Sequence, residues 1–188
     1  ATLEGFNDLA DWGANSIRIG IGGGSICSTR IQTGHGVPTL QSVIDCSKSD
    51  RDALLIADGG IKNSGDVAKA LAAGAHLIMC GSLFAGTDES PGEIFSASDG
   101  KKYKVYRGMA SVEAQKDWKG SHNSVEGIST TIPYKGSIDD IVGLMKKQLA
   151  SACSYSGASN LKEFYRNSEF IQQTHSAQVE SSTHILAG

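Results

Sequence analysis

A cysteine set in a glycine-rich loop is the group in this sequence best suited to covalent chemistry. The run GIGGGSICSTRIQTGHG, residues 20–36, places Cys27 after Gly22, Gly23 and Gly24 and before Ser28 and Thr29. Glycine admits positive φ and leaves the backbone open to a ligand, so the run reads as a loop shaped for binding or, more plainly, as a flexible surface loop. A thiolate can add to an electron-poor ring carbon and later leave, splitting a hard substitution into two easier steps. Arg30 is a cation that could support the thiolate. Thr29 could hydrogen-bond an attacking or leaving group. The alternatives are a buried thiol for Cys27 and a purely loop-forming role for Thr29. No helix follows Gly24 directly, so the run is not the dinucleotide fingerprint.

Further polar groups stand at the ends of other apolar runs. Asp58, in ADGG, is a carboxylate suited to a sugar diol or a purine N–H, or else to capping the turn that follows. Gly81 and Ser82 offer N–H groups and a hydroxyl to a phosphate, and beside Gly60 they would share one phosphate pocket. Glu113 and Glu126 are candidate acids or solvated surface charges. His35, flanked by glycines, could carry a proton near neutral pH, although a lone loop histidine more often does not. Cys46 and Cys80 lie in apolar stretches and read as small core residues. The wide spacing of the four cysteines lacks the paired pattern of a structural zinc site.

The elements that must position these groups alternate. Phe6, Leu9, Ala10 and Ala14 have helical spacing, and Ser16 to Ile19 reads as a strand. Thr39 to Ser47 is the next helix, and Leu54 to Ala57 is a strand of the kind buried on both faces. A helix over Gly65 to Ala73, capped by Asn63 or Ser64, leads to a strand over His76 to Cys80. Each strand ends in glycine or a small polar residue, where α/β barrels and open sheets put their sites. Three strands cannot close a barrel, so the chain is expected to be part of something longer. Residues 87–136 read as a polar excursion of loops, with a hairpin turn at DGKK and a short helix. Helices follow from Ile138 to about Leu149 and from Asn160 to Arg166, and 175–188 reads as a mobile tail.

Composition narrows the class. Hydrophobic residues are 39% and charged residues 20% of 188, as in one ordinary globular domain. The formal net charge of −3 and a pI of about 5.9 give no general attraction to nucleic acid or an anionic membrane. No run approaches the roughly 18 apolar residues of a membrane span, and the start lacks a basic and apolar leader. The expected setting is cytoplasmic.

Taken together, GIGGGSICSTR, IADGGI, AGAHLIMCGSLFAGTDESPG, YRGMAS, VEGI and IPYKGS resemble the IMP dehydrogenase and GMP reductase family, from about Leu3 to Phe170. The resemblance implies a (β/α)8 barrel, usually homotetrameric, of which 1–188 would be roughly the C-terminal half, strands 6 to 8 with C-terminal extensions. It implies that Cys27 attacks C2 of a purine nucleotide, GMP or IMP, with Thr29 beside it. Ser25, Gly60, Gly81, Ser82 and Tyr106 match phosphate contacts, Asp58 a ribose contact, and Gly108, Met109, Ala110 and Glu126 the segment lining the base. The carbonyls of Gly22, Gly24 and Cys27 match those that bind a potassium ion in the dehydrogenases.

The family carries out two reactions through the same type of covalent intermediate. A dehydrogenase oxidises IMP to XMP with NAD and needs a mobile flap bearing an Arg-Tyr pair to activate water. A reductase converts GMP to IMP and ammonia with NADPH and uses a threonine and a glutamate. Here DWKGSHNS runs almost directly into VEGI with no Arg-Tyr pair, and QTGHG and SACSYSGASNLKE resemble the reductases. The reductase glutamate stands five residues after the arginine of RGM. Val112 holds that place here, and Glu113, one residue beyond the family spacing, is the expected acid. The ending THSAQVESSTH resembles dehydrogenase tails, in which a glutamate such as Glu180 can give potassium ligands to a neighbour. The expectation is a reductase, with a dehydrogenase as the alternative and a silent nucleotide-binding module as a third reading.

Overall fold

A computed structural model describes residues 1–123 and 126–183. The chain opens with α1 (Leu3–Asp11), whose first turn is capped by the Thr2 hydroxyl accepting from Gly5 N–H, and it buries Phe6. Then follow β1 (Ser16–Ile19), a short α2 (Thr29–Thr33), α3 (Thr39–Cys46), β2 (Leu54–Asp58), α4 (Ser64–Ala72) and β3 (Leu77–Met79). Asn63 caps α4, its side chain accepting from Asp66 N–H. The strands form a parallel sheet in the order β1-β2-β3, with Ser16 opposite Leu54 and Asp58 opposite Met79.

Side chains alternate across this sheet, as strand geometry requires. Ile17, Ile19, Leu55 and Ala57 point to the helices and join Phe6, Val43, Cys46, Val67 and Leu71 in one core. The opposite row holds Arg18, Leu54, Ile56, Asp58, Leu77 and Met79. Leu54 is 46% and Leu77 50% exposed. The sequence reading expected Leu54–Ala57 to be buried on both faces. It is fully buried on one and only partly covered on the other. The result is an α/β domain with part of a barrel-like wall, not a closed ring of eight strands.

The excursion at 87–136 is more ordered than the sequence reading expected. It forms β4 (Ile94–Ser96), β5 (Lys102–Arg107), α5 (Val112–Lys119) and β6 (Ser129–Pro133), and the three strands make an antiparallel sheet in that order. The hairpin turn falls at 97–101, as expected. Buried Lys104 ties the sheet to the preceding loop, its ammonium donating to Thr87 O at 2.8 Å and Ser90 O at 2.6 Å.

The chain finishes with α6 (Ile138–Tyr155), α7 (Leu161–Asn167) and α8 (His175–Glu180). α6 runs past the expected Leu149, because Met145, Leu149, Ala152 and Cys153 continue one stripe against the core. α8 replaces part of the expected mobile tail, its first turn capped by Thr174 accepting from Ala177 N–H. Residues 184–188 of that tail lie outside the described residues. Among the described residues no helix is long and apolar enough to cross a membrane.

Leu55 is 1% exposed at the centre of the core. Leu55→Ala in the full-length protein is expected to cost about 2–5 kcal/mol of stability, read from the midpoint of chemical denaturation. An unchanged midpoint would contradict this packing.

Candidate functional site

The cysteine loop starts where β1 ends and is pressed against the loop after β2. Gly20 has φ +126°, and a Cβ there would stand 1.9 Å from Asp58 O. Gly59 has φ +93°, and its Cβ would meet the carbonyl carbon of Gly23 at 2.6 Å. Only glycine lets these two loops approach backbone to backbone.

Cys27 is then fixed by a distant segment. It forms an isolated antiparallel bridge with Gly127. Ser28 N–H donates to Glu126 O at 2.8 Å, and Ile128 N–H donates to Ile26 O at 3.0 Å. This pairing brings Glu126 to Thr29. Thr29 Oγ1 donates to Glu126 Oε2 at 2.7 Å, and Cys27 Sγ lies 3.2 Å from the same Thr29 oxygen. Thiol, hydroxyl and carboxylate therefore form a continuous chain. On the other side of residues 126–128, Gly108 N–H donates to Ile128 O at 3.1 Å, and the turn Gly108–Ser111 leaves Met109 72% exposed.

Glu113 does not join this chain. It stands in the first turn of α5, where Ser129 Oγ donates to its carboxylate at 2.9 Å. Its own backbone N–H and Ser129 hold it below the usual glutamate range. The Arg30 guanidinium donates to Val37 O at 2.6 Å and Ile21 O at 3.2 Å. It braces the loop. His35 is exposed and bound to Thr33 O at 2.7 Å.

The expected phosphate and ribose contacts converge. Ser25, Asp58, Gly60, Gly81, Ser82 and Tyr106 line one cavity of about 170 Å³, together with Lys62 and Met79. The N–H groups of Gly60, Gly81 and Ser82 donate to no acceptor among the described residues, and such free N–H groups favour an anion. The Tyr106 hydroxyl overhangs Gly81, where a Cβ would come within 2.7 Å of it. Burial pushes the Asp58 carboxyl up, and the Arg18 guanidinium, 3.4 Å away, opposes that shift.

Arg18 and Lys62 were not singled out from the sequence. Arg18 alternates with buried Ile17 and Ile19, so its side of the sheet was legible, and Lys62 follows IADGGI directly.

Among the described residues no group of three or more His, Cys, Asp or Glu side chains could hold a metal, so a cation at this loop would need main-chain oxygens. The carbonyls of Gly22 and Cys27 accept no hydrogen bond among the described residues, and that of Gly24 takes the Cys27 N–H at 3.1 Å.

The family model of the IMP dehydrogenase / GMP reductase domain matches residues 1–184. The chain belongs to that family. It is 41% identical to the inosine-5'-monophosphate dehydrogenase of Nitrosopumilus maritimus over 198 aligned positions, covering 98% of this chain and 41% of that protein. The dehydrogenase of Chlorobaculum parvum is 42% identical over 199 positions, with 98% and 40% covered. A crystal structure of GMP reductase from Trypanosoma brucei, a cysteine-to-alanine variant in complex with guanosine 5'-monophosphate, superposes with a TM-score of 0.93 at 39% identity. That match covers 98% of this chain and 39% of the other. The chain thus spans about two fifths of the length of these relatives. The two dehydrogenase alignments run over more positions than the 188 residues here, so those relatives carry residues with no counterpart in this chain.

Gly59→Ala is expected to cost about 2–4 kcal/mol, the sum of strained φ and backbone overlap with Gly23, measured by urea denaturation of the full-length protein. A midpoint equal to wild type would show that the two loops do not meet.

Proposed function

We propose that the full protein is an NADPH-dependent GMP reductase, converting GMP to IMP and ammonia through a covalent bond between Cys27 Sγ and purine C2. The observation that carries this reading is the chain from Cys27 through Thr29 to Glu126, set next to loops that offer free N–H groups to a phosphate. The phosphate would sit against Ser25, Gly60, Gly81, Ser82 and Tyr106, the ribose diol on Asp58, and the base along Gly108, Met109 and Ala110.

In this scheme the thiolate adds to C2, and the 2-amino group, having taken a proton, leaves as ammonia. NADPH supplies a hydride to C2. The C–S bond then breaks and the electron pair returns to sulfur, giving IMP and restoring the cysteine. Thr29, held by Glu126, is placed to pass the proton to the departing nitrogen. Glu126 takes the role that the family resemblance had given to Glu113. The carbonyls of Gly22, Gly24 and Cys27 would hold a potassium ion that stiffens the cysteine loop, and a homotetramer is part of the same proposal.

A reductase is favoured because no Arg-Tyr pair stands between Asp117 and Glu126. The dehydrogenase reading, with IMP, NAD and XMP, is favoured by the identity to the two dehydrogenases. Absorbance near 340 nm separates them. Full-length enzyme with GMP and NADPH is expected to lose absorbance and release ammonia; a gain with IMP, NAD and potassium, and no change in the first mixture, would reverse the assignment.

Glu126→Gln is expected to lower kcat by about 10²–10⁴ while GMP still binds. Glu113→Gln is expected to leave kcat within about threefold of wild type, less than 1 kcal/mol of barrier. The opposite ranking in steady-state assays would return the acid role to Glu113.

Asp58 must be ionised to grip a diol, so nucleotide affinity is full above its folded-state pKa and falls as pH drops through it. Burial sets that pKa above the ordinary value of 3.8, and Arg18 limits the rise. Arg18→Met removes the restraint, so the acidic fall in GMP affinity is expected to begin at higher pH, as followed by calorimetric titration. An unmoved acid limb would exclude Asp58 as the titrating contact.

A further inference from the structure

The loop after β3 is braced from behind by a lysine that the scheme above does not use. Lys135 Nζ donates to Ser82 O at 2.6 Å and Leu83 O at 3.0 Å. Lys135 N–H donates to Gly86 O at 2.8 Å, and Asp88 N–H donates to Gly136 O at 2.9 Å. A bridge between Thr87 and Gly136 extends the same seam. The start of the loop is closed separately, Gly81 O accepting from Phe84 and Ala85.

These bonds orient the peptides. In a planar trans peptide the C=O and N–H point in opposite directions. Fixing Gly81 O therefore aims the Ser82 N–H, and fixing Ser82 O aims the Leu83 N–H. The N–H groups of Gly81, Ser82 and Leu83 donate to no acceptor among the described residues, and Gly81 and Ser82 line the cavity. The ammonium on Leu83 O polarises the Leu83–Phe84 peptide, whose N–H donates to Gly81 O, and this in turn polarises the Gly81–Ser82 peptide, whose N–H end would meet an anion in the cavity, so each strengthens the other.

The Lys135 charge also has no ion-pair partner among the described residues. Partial desolvation lowers its pKa from the usual lysine range.

We propose that Lys135 is a positioning residue for the substrate phosphate, acting through the Ser82 and Leu83 carbonyls and adding positive charge behind the loop. The proposal rests on the reading of this cavity as a phosphate site.

The test compares dissociation constants of GMP and of guanosine, which lacks the phosphate, for full-length wild type, Lys135→Gln and Lys135→Arg. Lys135→Gln is expected to weaken GMP by about tenfold or more, the scale of hydrogen bonds to a charged group. Guanosine should stay within about twofold of wild type, and Lys135→Arg should hold GMP within about threefold. If the Gln variant does not fold, Lys135→Met, which keeps most of the stem, carries the same expectation.

GMP binding by Lys135→Gln equal to wild type would overturn the proposal. So would equal losses for GMP and guanosine, which mark general damage to the site. A wild-type enzyme that binds GMP no tighter than guanosine would contradict the phosphate reading of the cavity itself. A wild-type preference for GMP that survives in Lys135→Gln would contradict only the role of Lys135.

Discussion

The site depends on one short main-chain pairing, residues 26–28 against 126–128. The two hydrogen bonds of the Cys27–Gly127 bridge carry Glu126 across 97 positions of sequence to the hydroxyl of Thr29. Without this pairing Cys27 would be a thiol at the end of a glycine-rich turn. With it, sulfur, hydroxyl and carboxylate lie in line. The antiparallel sheet has the same function at larger scale: β5 leads into the Gly108–Ser111 turn and β6 begins just after residue 128, so the sheet delivers both segments that flank the cysteine loop.

A second constraint works beneath the first. The loops after β1 and β2 touch through their backbones at Gly20, Gly23 and Gly59, which brings the cysteine and Asp58 to the same end of the parallel sheet. The loop after β3 completes the cavity with Gly81 and Ser82. Three successive strand ends therefore contribute three kinds of group: a thiol, a carboxylate, and free N–H donors.

The sequence made these strand ends legible because local pattern determines them. Buried Ile17, Ile19, Leu55 and Ala57 alternate with a more exposed row that ends in Asp58, and glycine stands within two residues of each strand end. Five of the six residues expected to hold phosphate and ribose share one cavity for that reason, and the sixth, Tyr106, reaches it from β5. What was not legible is non-local. Ser129–Pro133 is exposed along most of its length, so it lacks the alternation that marks a half-buried strand, and only its partner β5 makes it one. Glu113 was expected as the acid although it lies one residue beyond the family's spacing from Arg107, and α5, which begins at Val112, directs its carboxylate to Ser129. That the loop curls around Arg30 and uses its donors for Val37 and Ile21 was likewise not legible.

The central claim is that Cys27 takes the purine at C2 before any hydride arrives. Full-length enzyme mixed with GMP in the absence of NADPH, quenched in acid and digested, allows the Cys27 peptide to be weighed directly. The account predicts an adduct with the mass of GMP less ammonia on Cys27 and on no other cysteine. An adduct on Cys46, Cys80 or Cys153, or turnover by an enzyme whose Cys27 peptide stays unmodified under those conditions, would contradict it.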